Sequence, residues 1–123
     1  MKITATIIGM GIGQKHFDAI ESYKNSNVKI ICEKDKEKRE ILKKKYPSKI
    51  ITNNENIIFS DNKINLVSIA SYDNFHFNQI IRGLKNNKNL IIEKPMCLNE
   101  FQLKKIYQLL KKKKKIKIKY LTK

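Results

Sequence analysis

Two hydrophobic rhythms alternate along this chain. Runs of consecutive apolar residues are the mark of strands buried on both faces; apolar residues recurring every three or four positions are the mark of helices with one inner face. The first rhythm appears at Ile3–Ile8 ("ITATII"), Val28–Cys32 ("VKIIC"), Lys49–Thr52 ("KIIT"), Ile64–Ala70 ("INLVSIA") and Asn89–Glu93 ("NLIIE"). The second fills the gaps. Residues 14–24 carry Phe17, Ile20 and Tyr23 at helical spacing, and residues 34–46 carry Ile41 and Leu42 on an inner face and stop at Pro47. Residues 54–60 give a short helix, and Phe75–Leu84 turns Ile80, Ile81 and Leu84 inward. Asn99 caps a helix through Leu110, with Leu103, Ile106, Tyr107 and Leu110 as its apolar positions. Ile116–Tyr120 ("IKIKY") alternates in a way that suits a sixth strand at a sheet edge. This order predicts an α/β domain, a doubly wound and mostly parallel sheet of about six strands, Rossmann-type.

The chain has 123 residues and no long polar linker, which sets the expectation of a single domain over 1–123 whose Lys-rich end, 111–123, holds the last strand. A hydrophobic content of 41% fills a modest core. No apolar run approaches the roughly 20 residues of a membrane span, and glycine interrupts the start too early for a secretory leader. Cys32 and Cys97 stand in no metal-ligand or redox spacing and read as small buried residues in a reducing compartment. The expectation is therefore a cytoplasmic protein with no metal site and no membrane partner.

Charge changes the picture less than its size suggests. The formal net charge is +16, from 27 Lys+Arg against 11 Asp+Glu, a balance that raises polyanion binding as a reading. Arg39 and Arg82 are the only arginines, however, and specific phosphate and base readout favours the arginine fork. Residues 111–123 alone carry eight lysines and no acid, leaving +8 for the rest. No specific nucleic-acid partner is expected, and the "KKKKK" run reads as a solvated helix end that suits the helix dipole.

The candidate chemistry begins at "IIGMGIGQKH". Gly9, Gly11 and Gly13, with Ile12 between the last two, form a G-x-G-x-G turn, one residue short of the dinucleotide fingerprint G-x-G-x-x-G. The turn follows a strand and opens a helix, where glycine backbone can approach a pyrophosphate placed on the helix N-terminus. Glu33 ends the second strand twenty positions beyond Gly13, where an acid accepts hydrogen bonds from an adenosine ribose. The alternatives at this point are a simple tight turn and a solvated loop acid. The cofactor expected is NAD, with NADP left open because Lys34 beside Glu33 accommodates a 2′-phosphate.

Two further stretches, "LVSIASYDNFHFNQI" (66–80) and "LIIEKPMCLNEFQL" (90–103), together with Gly13-Gln14-Lys15-His16, resemble the N-terminal domain of the Gfo/Idh/MocA oxidoreductases. That family's fourth strand runs into T-P-N-x-x-H, answered here by Ser71 to His76; its fifth ends in Glu-Lys-Pro, matched by Glu93, Lys94 and Pro95. Tyr72 and Asp73 depart from the usual proline and asparagine. The resemblance implies Lys94 as the catalytic residue, near the nicotinamide and the reacting hydroxyl, where it polarises that oxygen or assists proton transfer. It implies cofactor contacts from Ser71, Asp73, His76 and Glu93. For His16, packing within its helix and a place near the cofactor both stay open. It also implies a second domain with a D-x-x-x-H pair, which would begin about where this chain ends at Lys123. The expectation is the dinucleotide-binding part of an enzyme that moves hydride between a sugar or cyclitol alcohol and nicotinamide. Alone it would bind cofactor without turnover, its partner being that second domain or another copy in a homo-oligomer. A non-catalytic dinucleotide-binding module, or a truncated remnant, is the alternative.

Overall fold

A computed structural model describes residues 2–113 and 115–120; the expectations for Lys114 and for 121–123 of the Lys-rich end lie outside the described residues. The elements are β1 (Ile3–Ile8), α1 (Gly13–Ser22), β2 (Ser26–Cys32), α2 (Lys36–Lys45), β3 (Ile50–Thr52), α3 (Asn56–Phe59), β4 (Leu66–Ile69), α4 (Asp73–Lys85), β5 (Asn89–Ile92), α5 (Glu100–Lys111) and β6 (Ile118–Tyr120). They form one six-stranded sheet in the order β3-β2-β1-β4-β5-β6, with every pairing parallel. This is the Rossmann-type doubly wound sheet that the alternating rhythms predict.

The central strands are apolar on both sides because both faces are covered. Ile7, Ile31, Val28 and Ala5 pack with Phe17 and Ile20 of α1 and Leu42 of α2. Their neighbours along the same strands, Ile8, Ile30 and Cys32, face the other way and join Ile58, Ile80, Leu84 and Ile106 from α3, α4 and α5. The period of two in a strand thus divides one sequence run between two cores. The one fully buried polar residue of β1 is Thr6, whose hydroxyl donates to Ile30 O at 2.7 Å, beside the register shift between β1 and β2. At the amino edge of the sheet, the buried Lys88 ammonium donates to Asp61 O and Ile64 O at 2.6 and 2.9 Å, which closes that edge.

Four inward expectations fail, on or at the end of helices packed by a narrow stripe. Leu42 is buried but Ile41 is 64% exposed, because α2 touches the sheet along one line of residues. On α5, Ile106 is buried while Leu103 and Tyr107 are 48% and 65% exposed. Tyr23 lies just past α1 and is also exposed. No described helix is long and apolar enough to cross a membrane.

The chain winds outward from β1 in both directions, so the carboxyl ends of β1 and β4 part at a switch point, the usual place for a ligand in such sheets. The helices that start at this edge differ in their first turns. Asp35 caps α2 by accepting from Lys38 N, and Asn99 caps α5 by accepting from Gln102 N at 2.9 Å. At the switch point, α1 and α4 begin with no side-chain cap.

Candidate functional site

The turn after β1 is built by glycine for two separate reasons. Gly9 has φ +89, and a Cβ there would lie 2.6 Å from Ala70 O, so the turn and the β4 end touch backbone to backbone. Gly13 lies under α1, where a Cβ would meet Ile7 Cγ2 at 2.7 Å; its absence lets the helix sit close on β1. Gly11 between them is exposed, with nothing within 4 Å of a Cβ position. The backbone N–H groups of Gly11, Ile12 and Gly13 donate to no acceptor among the described residues. Three free donors at an uncapped helix start suit an anion, and the helix dipole adds to that attraction.

Glu33 stands beside this turn and is tied to it. Its Oε1 accepts from Met10 N and its Oε2 from Asp35 N, both at 3.0 Å, and the residue is only 8% exposed. Each oxygen keeps one lone pair for a further donor. The Arg39 guanidinium holds the same loop by donating to Glu33 O and Lys34 O. Lys34 Nζ lies 3.2 Å from the centroid of the Phe75 ring, so a cation–π contact spans the gap between the β2 and β4 loops. Burial pushes the Cys32 thiol up to about 12, with Glu55 and Glu33 adding to the effect, so this cleft-lining sulfur is an inert thiol.

A cleft of about 550 Å³ opens above these strand ends. Gly9, Gly11, Ile12, Glu33, Ser71, Asp73, Glu93 and Lys94 all line it. A wider groove of about 820 Å³ runs between α4 and α5 and shares Lys34, Glu55, Phe75 and Gln79 with the cleft; the glycine turn bounds only the smaller space. Lys94 is exposed, precedes Pro95 through a cis peptide, and makes no ion pair with Glu93. Glu93 faces His16 instead, with Oε2 3.9 Å from Nε2.

Neither histidine is on the cleft wall. His16 lies behind Glu93, with Nδ1 on the Ser68 hydroxyl; burial lowers its pKa, opposed by the charge of Glu93. His76 is 1% exposed, with Nδ1 2.6 Å from Pro95 O and Nε2 2.8 Å from Ser71 O. Carbonyls only accept, so each contact is a hydrogen bond when that nitrogen carries the proton. His76 therefore fastens the β4 loop to the β5 loop, and the expected direct contact from its ring is replaced by support from beneath. Sequence reasoning missed Gln79, which accepts from the Ser71 hydroxyl at 2.6 Å and donates to Glu55 at 2.9 Å. The available signal was a polar residue at an inner position of α4, one turn after His76. For Glu55, at the N-cap position before a helix of four residues, no such signal exists.

The comparisons with known proteins agree with this fold. Residues 3–120 match the Gfo/Idh/MocA family model, described as an oxidoreductase family with an NAD-binding Rossmann fold. The chain belongs to this family. What it matches is that family's NAD-binding Rossmann domain. Among solved structures, it is similar to an NAD-binding protein from Listeria innocua, at 24% identity and TM-score 0.86, covering 98% of this chain and 35% of that one. It is similar to myo-inositol 2-dehydrogenase from Lactobacillus plantarum at 19% identity and TM-score 0.88, covering 98% and 36%. Biliverdin reductase from Synechocystis, solved with biliverdin and NADP+, matches at 20% identity and TM-score 0.86, covering 94% and 37%. No curated protein sequence matches. The Gfo/Idh/MocA domain seen here thus spans about a third of the length of its solved relatives, and at these identities the likeness is one of fold.

Proposed function

We propose that the cleft binds a nicotinamide dinucleotide, with the pyrophosphate on the N–H groups of Gly11, Ile12 and Gly13 and the adenosine ribose on Glu33. The observation that carries this reading is the uncapped start of α1, where three free donors flank a glycine with open space at its Cβ position. From there the adenosine half runs toward β2, and the nicotinamide half runs across the switch point toward Ser71, Asp73, Glu93 and Lys94. NAD is the expected cofactor because the two free lone pairs of Glu33 suit two ribose hydroxyls and repel a 2′-phosphate.

The parent activity we propose is hydride transfer at a secondary alcohol of a sugar or cyclitol. The nicotinamide supplies the hydride chemistry when bound. Lys94 supplies an exposed ammonium at the same end, with no carboxylate partner among the described residues and so able to polarise a reacting oxygen. The likeness to a myo-inositol 2-dehydrogenase supports the substrate class. Substrate must also be held at near-attack distance, and the resemblance assigns that work to the second domain. A polypeptide of these 123 residues is therefore expected to bind cofactor without turning over a polyol.

NADH titration of the 123-residue chain, read by fluorescence, tests the cradle. Gly11→Val folds as the parent does and fills the open space, so affinity drops about tenfold or more. Saturable binding of unchanged strength in that variant refutes the phosphate assignment. When the same residues are joined to a family second domain, Lys94→Ala lowers turnover far more than cofactor affinity; equal turnover refutes the role of Lys94.

A further inference from the structure

Of the groups lining the cleft, Glu93 alone carries a buried oxygen with no hydrogen-bond partner among the described residues. This Oε2 faces His16 Nε2 at 3.9 Å, beyond hydrogen-bond reach. His16 is anchored from behind, through Nδ1, by the hydroxyl of Ser68 on β4, which is fully buried and makes no other side-chain hydrogen bond. When that hydroxyl donates, the neutral ring carries its proton on Nε2, turned toward Glu93. Ser68, His16 and Glu93 form a line from the interior of the sheet to the cleft wall.

We propose that Glu93 sets the preference of this domain for oxidised over reduced cofactor, and that His16, held by Ser68, is its positioning residue. The inference rests on the cleft holding a nicotinamide dinucleotide with its nicotinamide half over the ends of β4 and β5. The oxidised ring bears a positive charge that the reduced ring lacks. A carboxylate without a counter-ion at that end stabilises the oxidised form selectively. Lys94 lies beside it with the opposite charge, but Lys94 is exposed and screened by solvent, whereas the Glu93 side chain is only 16% exposed.

His16 makes the effect depend on pH. The neutral ring leaves the charge of Glu93 intact; the protonated ring cancels it. Burial holds the His16 pKa below its ordinary 6.5, so cancellation belongs to the acid side of that value. Glu93 is the one carboxylate within 4 Å of the ring among the described residues. From β4 the ring meets uncharged Ser68, and on α1 itself Lys15 and Asp18 are exposed.

The test is the ratio of Kd for NADH to Kd for NAD+, measured on the 123-residue chain between about pH 7.5 and about pH 5. In the parent this ratio falls about three- to tenfold as pH drops. Glu93→Gln begins at the low ratio and stays flat, while His16→Gln keeps the high ratio throughout. A flat ratio in the parent, or a parent-like slope in either variant, overturns the proposal. Should Glu93→Gln fail to fold, His16→Gln decides alone by the same criterion. A chain that binds neither cofactor form, or binds both regardless of Gly11→Val, refutes the cradle itself, so the two failures are distinguishable.

Discussion

Helices α1 and α2 are each ten residues long, follow adjacent strands and start at the same edge of the sheet, yet they begin in opposite ways. In α2 the orphan donors of the first turn are answered from within: Asp35 accepts from Lys38 N, Glu37 adds a charge in the first turn, and Lys43, Lys44 and Lys45 complete the other end. In α1 no acid stands in the first turn and the N-cap position is an exposed isoleucine. The mean composition of the chain is lysine-rich, so the absence of a basic last turn in α1 is equally distinctive. One helix is electrostatically complete, and the other leaves its first-turn donors open. An uncapped terminus beside a glycine turn forgoes about 1 kcal/mol of local stability that a cap would supply, and the pyrophosphate site proposed above rests on that difference.

Substitutions that break this contrast are expected to rank as follows. Gly9→Ala has the largest effect, because its Cβ meets the Ala70 backbone at a φ that side chains rarely adopt; a loss of about 3 kcal/mol or more is expected in urea unfolding. A loss below about 1 kcal/mol would show that the turn rearranges freely. Glu33→Ala comes next, since it strips acceptors from Met10 N and Asp35 N; about 2 kcal/mol of stability goes, and discrimination against NADP relaxes. An unchanged NAD/NADP preference removes Glu33 from ribose recognition. Ile12→Asp sharpens the contrast from the other side by placing a carboxylate at the open terminus: NADH affinity falls about tenfold while the unfolding midpoint holds. Asp35→Ala makes α2 resemble α1 and costs about 1 kcal/mol, read by thermal unfolding, with little change in affinity. Lys94→Ala is the smallest, within about 0.5 kcal/mol of the parent in stability and equal to it in cofactor affinity, because the side chain is exposed and supports nothing.

Much of the fold was legible because burial on both faces leaves a direct trace in sequence. Ile3–Ile8 reads as a strand and is one, and each continuous apolar run became a strand of the parallel sheet. Helix faces were less legible. Periodicity marks a stripe of apolar residues, but not how much of it a neighbour covers, and on α5 only Ile106 is fully enclosed. The site divides in the same way. Glycine and backbone donors have positions that local sequence determines, so Gly9, Gly11 and Ile12 lie on the cleft as the motif requires. Side-chain direction depends on partners far along the chain. The residue order cannot show that His76 points between two carbonyls nineteen and five positions away, or that His16 meets Ser68 across the sheet.

Glu33 has a consequence for anyone who would redesign the cofactor choice of this domain. Admitting a 2′-phosphate ordinarily means exchanging the acid after the second strand for something small and neutral. Here that acid also clips the loop after β1 to the loop after β2, through Met10 N and Asp35 N. On the proposed assignment of Glu33 to the ribose, selectivity and turn rigidity are a single adjustable quantity rather than two. A library varied at position 33 alone trades one against the other at every member. An acceptor introduced elsewhere for the Met10 and Asp35 N–H groups is the first substitution to make, before the cofactor is touched.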